Sequence, residues 1–146
     1  MANLFKEYHT DWYYDTKNNC LEWSDVSTLL SYPLITIGSH THSHFKLDNL
    51  QTEKDVEDEI LKAIALIRER TGYDPKVFAY PYGGAGQREF EVLSSHQNRI
   101  PLAVLAHGGP VTSNTNRLEQ MPRIIFDNNL NVKDLQHYRN VYMGII

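Results

Sequence analysis

Residues 34–44 read Leu-Ile-Thr-Ile-Gly-Ser-His-Thr-His-Ser-His. The apolar, partly β-branched run Leu34–Ile37, closed by Gly38, predicts a short buried strand. Three histidines then follow within five residues, His40, His42 and His44. Neutral imidazole is the commonest protein ligand for zinc and suits other divalent metals. A helical turn here would put His40 and His44 on one face, with the Thr41 and Ser43 hydroxyls bonded to nearby backbone. An extended segment would instead align all three rings and make His42 a third candidate ligand. The plain alternative is a solvent-facing polar loop that happens to be rich in histidine.

Upstream, Ser24-Asp25 predicts a helix start, with Val26, Leu29 and Leu30 on one face and a stop at Pro33. Downstream, Thr52 and Asp55 form a capping-box pattern, and Val56, Ile60, Leu61, Ile64 and Ile67 recur at helical spacing until Gly72. The acids of that helix, Glu53 to Glu59, read as a solvated face. Lys76–Tyr80 predicts the next strand, Arg88 to Ser95 a helix and Leu102–Leu105 a further buried strand. A polar loop over 111–119 follows, then a strand at Arg123–Phe126 and a closing helix from Val132 to Tyr142. Strands alternating with helices favour a largely parallel α/β sheet, in which functional groups gather at the carboxyl ends of strands. The histidine cluster, Tyr80-Pro81-Tyr82-Gly83-Gly84 and His107 all fall at such ends.

The chain has 146 residues, 41% hydrophobic and 22% charged, with a formal net charge of −4. That composition is globular and fits a single domain over 1–146. Its acidic balance argues against a nucleic-acid partner held by bulk electrostatics. No apolar run is long enough for a membrane span, and the first residues lack a signal-peptide pattern, so a cytoplasmic location is the default expectation. Cys20 is the single cysteine and lacks the neighbours that would make it a nucleophile.

The segment Ile37–His44 resembles the metal-binding motif of the polysaccharide deacetylase family (NodB homology, carbohydrate esterase family 4): His, Ser or Thr, two residues, His. Leu21–Val26 resembles the helix that precedes that motif. Phe78-Ala79-Tyr80-Pro81-Tyr82-Gly83 is similar to the family's Arg-x-Pro-Tyr motif, with alanine where the arginine would stand. This replacement resembles the branch acting on poly-N-acetylglucosamine, whose arginine comes later, and Met121-Pro122-Arg123-Ile124 looks like that later segment. Leu105-Ala106-His107 matches the family's Leu-x-His, although it falls earlier in the chain than the family places it. A surface histidine in a Gly-Gly-Pro turn is the other reading of His107.

The resemblance implies an α/β fold, an incomplete or distorted (β/α) barrel, and metal-dependent hydrolysis of acetyl groups from N-acetylated sugars of a polysaccharide or oligosaccharide. It implies His40 and His44 as ligands of a divalent metal, zinc first. Tyr82 would help hold the developing oxyanion through its backbone amide, and Tyr80 and Pro81 would complete the substrate side. Arg123 would orient the catalytic carboxylate, and His107 would act as general acid. The family's Thr-Phe-Asp-Asp-Gly motif, which supplies the base and a third ligand, has no counterpart before His40, as if the first strand were missing. Asp11, Asp15 or a partner subunit could supply the carboxylate instead, and an open edge at the missing strand would favour self-association. The alternative is a catalytically degenerate relative that binds carbohydrate or a protein partner.

Overall fold

The computed structural model describes residues 19–109 and 116–123, together with residues 17, 111, 136 and 137. The chain divides into two compact units, residues 1–36 and 37–146. In the first, helix α1 spans Trp23–Leu29. It begins one residue ahead of Ser24 because the Asp25 carboxylate reaches back to accept the Glu22 N–H at 2.8 Å. Val26, Leu29 and Leu30 are half-buried, as their shared face requires.

In the second unit, α2 spans Glu53–Thr71. The Thr52 hydroxyl accepts the Asp55 N–H and the Asp55 carboxylate accepts the Thr52 N–H, which satisfies two of the donors a helix start leaves open. Gly72 ends the helix in the left-handed conformation, φ 72°, with its N–H on the Arg68 carbonyl. Val56, Ile60, Ala63 and Ile64 form the buried stripe.

Strand β1 spans Val77–Ala79, α3 spans Gln87–Ser95, β2 spans Leu102–Gly108 and β3 spans Met121–Arg123. The three strands form a parallel sheet in the order β1-β2-β3. Val77 faces Leu102 and Ala79 faces Val104, while the β2–β3 register shifts between Val104 and Gly108. The core joins Val56, Ile60 and Ile64 of α2 to Phe78, Tyr80, Val92, Leu93, Ile100 and Ala103, with Leu47 beneath. Tyr80 sits edge-on to Phe78 and Phe90, ring centroids 5.2 and 5.7 Å away.

Several expectations change. Leu34–Ile37 is not a buried strand: Leu34 is 97% exposed, and the parallel pairing is a single bridge further on, from Ser39 to Phe78. The bridge is made by Ser39 N–H on the Val77 carbonyl and Ala79 N–H on the Ser39 carbonyl. Pairing therefore begins only past Gly38, where a Cβ would already press within 3.2 Å of the Val77 carbonyl oxygen. Strand β2 runs to Gly108, three residues beyond its expected end. The last strand begins at Met121, and Ile124–Phe126 lies outside the described residues. So does the helix over 132–142, except for residues 136 and 137, which are helical. No helix among the described residues is long and apolar enough to cross a membrane.

Candidate functional site

A parallel sheet places the carboxyl ends of its strands on one side. His40 follows the Ser39 bridge there, the Tyr80–Gly84 loop follows β1, His107 lies near the end of β2, and Arg123 ends β3. Within this group the imidazoles of His40 and His44 meet, Nε2 to Nε2, at 3.1 Å. The segment between them is not a helical turn. Thr41 and His44 instead take positive φ values, 67° and 57°, which fold the chain back on itself over four residues. Among the described residues the third such non-glycine position is Tyr82, φ 57°, in the facing loop. Left-handed backbone at non-glycine residues persists only where surrounding contacts impose it, and it concentrates at functional sites.

Each imidazole of the pair has a partner on its other nitrogen. His40 Nδ1 lies 2.7 Å from the Ala79 carbonyl, an acceptor only, so Nδ1 carries the hydrogen and the neutral ring presents a lone pair at Nε2. His44 Nδ1 lies 3.1 Å from the Tyr82 hydroxyl, a group that can donate or accept. With that tautomer of His40, His44 Nε2–H donates to His40 and the tyrosine donates to Nδ1. A cation on both Nε2 atoms requires the His44 hydrogen at Nδ1, where the same hydroxyl accepts it. Two nitrogens each roughly 2.0–2.1 Å from a tetrahedral ion stand about 3.3 Å apart, so the observed spacing fits a shared divalent metal. Both rings are exposed. No group of three or more histidine, cysteine, aspartate or glutamate side chains suited to a metal occurs among the described residues. Asp11 and Asp15 lie outside those residues.

His42 engages α2 through its backbone, its N–H donating to the Glu59 carbonyl at 3.0 Å. The Ser43 N–H donates to the Glu59 carboxylate at 2.8 Å. The Thr41 hydroxyl, expected to brace the turn, is buried with no hydrogen-bond partner. Glu59 thus belongs to the site's support rather than to a solvated face. Its sequence signal is its place beside Ile60 and three residues after Val56, on the flank of the buried stripe, where a half-buried carboxylate calls for a partner.

Tyr82 is 68% exposed and its ring packs 4.8 Å from that of His44. Tyr80 and Pro81, expected on the substrate side, are instead fully buried beneath the loop. The Tyr80 hydroxyl donates to the Glu119 carbonyl at 2.8 Å. Burial, with Glu119 and Glu89 nearby, pushes that phenol well above its ordinary range, so it stays a neutral donor. His107 comes close to the loop: a methyl group on Gly83 would stand 3.1 Å from its ring. The Arg123 Nε donates to the Leu105 carbonyl, and the Gly109 N–H donates to the Arg123 carbonyl at 3.2 Å. Below the site, α3 is tied to the segment that follows the histidine turn. Arg88 pairs with buried Glu89 at 2.6 Å and donates to the carbonyls of Leu47 and Leu50. His96, at the C-terminal end of α3, bonds Glu57 of α2 at 2.8 Å.

Solved deacetylase structures share this fold. The deacetylase PplD of Streptococcus pyogenes, in complex with acetate, matches 85% of this chain and 54% of its own, with a TM-score of 0.69 at 16% identity. The BpsB deacetylase domain of Bordetella bronchiseptica gives a TM-score of 0.62 at 17% identity, over 70% of this chain and 48% of that one. A polysaccharide deacetylase of Bacillus cereus gives 0.63 at 17% identity, over 82% and 36%. The chain therefore spans about half or less of the length of these proteins. No curated protein sequence matches it. The polysaccharide deacetylase family profile matches residues 4–101. The histidine turn, the Pro-Tyr-Gly loop facing it and the parallel strands that carry both are thus those of a family member: the chain belongs to the polysaccharide deacetylase family.

Proposed function

We propose that this chain carries the metal-binding half of a deacetylase site acting on N-acetylated sugars of a polysaccharide. The observation that carries the reading is the His40–His44 pair, with two converging Nε2 atoms and both Nδ1 atoms partnered. The backbone strain at Thr41, His44 and Tyr82 supports it, because each of the three shapes a loop that bears on the pair. Bound there, a divalent ion, zinc first, supplies Lewis acidity toward the acetamide carbonyl and toward water. The chain's own residues do the rest. Ala79 and Tyr82 set the imidazole tautomers, and the Tyr82 backbone amide is the donor toward a developing oxyanion. His107, beside Gly83, is the proton donor to the leaving amine, and Arg123 is the residue that would orient a carboxylate base supplied by Asp11, Asp15 or a partner subunit.

A second reading, a carbohydrate-binding relative without hydrolysis, is favoured by one fact: no third ligand joins the pair among the described residues. Metal content and acetate release from N-acetylglucosamine oligomers, measured with and without added zinc or cobalt, separate the two. Hydrolysis predicts stoichiometric metal and acetate release, both lost in His40→Ala. Stoichiometric metal without acetate release supports the binding relative. Absence of metal, with His40→Ala indistinguishable from the parent, overturns the assignment of the pair.

A further inference from the structure

We infer that Glu59 is the positioning residue of the histidine turn, acting from α2 on the backbone that carries both imidazoles. Two consecutive amides of the turn go to this one residue: His42 N–H to its carbonyl at 3.0 Å and Ser43 N–H to its carboxylate at 2.8 Å. They lie between the two left-handed residues, Thr41 and His44. Such a backbone relaxes toward ordinary φ values unless something outside the turn opposes it. The Thr41 hydroxyl does not do so, since its Oγ1 has no partner. Glu59 can, because its helix is immobilised on either side: Val56 and Ile60 are both fully buried in the core. The tether thus couples core packing to the 3.1 Å approach of His40 and His44.

The carboxylate is a stronger acceptor for the Ser43 amide than a neutral oxygen, yet the amide oxygen of glutamine preserves the geometry. This inference rests on the reading of the pair as facing a metal, so its test has one readout that needs no metal. Amide hydrogen exchange on the whole chain should show Ser43 protected in the parent and in Glu59→Gln, and unprotected in Glu59→Ala. Cobalt(II) titration, followed by calorimetry and visible absorption, should show Glu59→Ala losing about 10–100-fold in affinity, the range typical for removing an outer support of a ligand. Glu59→Gln should stay within about threefold of the parent by the same physical argument of a retained acceptor. Asp58→Ala, which removes only the exposed Lys54 and Lys62 pairs on the same helix, should change neither readout. Thermal melts identify any variant whose loss is one of folding. Unchanged Ser43 protection in Glu59→Ala overturns the inference. Lost Ser43 protection in Glu59→Ala, with a parent that itself binds no cobalt, upholds the tether and overturns the metal reading alone.

Discussion

Gly83 shows how closely the tyrosine loop is fitted against the end of β2 at the level of single residues. Its φ of 69° is open to glycine and unfavourable for any residue with a Cβ, and a methyl group there would meet Ala106 at 3.0 Å and the His107 ring at 3.1 Å. Gly83→Ala therefore combines backbone strain with displacement of His107. The expected loss is about 1–2 kcal/mol in urea unfolding from the backbone alone, accompanied by a shift of the His107 ring signals in NMR spectra. Tyr82, one residue earlier, accepts the same kind of left-handed strain without being glycine. It keeps its hydroxyl on His44 and its ring against the imidazole, contacts that a smaller residue could not make.

The elements differ in how much of their stability depends on pH. The short 3-10 turn at Leu118–Gln120 places Glu119 almost wholly inside the protein, 6% exposed. Burial raises the pKa of its carboxyl, but hydrogen bonds from its own backbone N–H and from Arg117 outweigh burial and hold it below the ordinary value of 4.5. A carboxylate with a depressed folded pKa contributes stability that is complete above its unfolded pKa and lost as the pH falls through the folded one. Glu119→Gln removes this contribution. The urea midpoint of the parent should fall more steeply between pH 5 and pH 3, on the order of the window below 4.5, than that of the variant. An equal slope in both would show that the Arg117 pair, 2.6 Å long, adds nothing to the folded state. Because Tyr80 bonds the Glu119 carbonyl, this turn also anchors the start of the site loop from below.

For the whole molecule, a ligand that binds only the folded chain shifts its stability by mass action. Saturation with zinc or cobalt at a hundredfold excess over Kd should add about 2.7 kcal/mol and raise the thermal midpoint. Chelation should reverse the gain, and His40→Ala and His44→Ala should abolish it, as followed by circular dichroism. The described sheet is part of a longer architecture in the structural relatives, of which this chain covers 36–54% in three solved examples. The elements legible from sequence were those set by local chemistry. Helix α2 was readable from the Thr52–Asp55 box, its apolar stripe and Gly72, and β1 and β2 from short apolar runs between breakers. The Leu34–Ile37 run misled because β-branched composition states a preference for extended backbone, whereas pairing depends on a neighbouring edge, which begins at Ser39. The pairing of His40 with His44 was likewise suggested by their spacing and flanks. Their meeting at Nε2 was not. It depends on the sign of φ at Thr41 and His44, on a glutamate in α2 and on a tyrosine hydroxyl 38 residues from His44. Spacing along the chain constrains which groups can meet, but a left-handed turn is held by hydrogen bonds from distant segments, and those exist only once the core has brought the segments together.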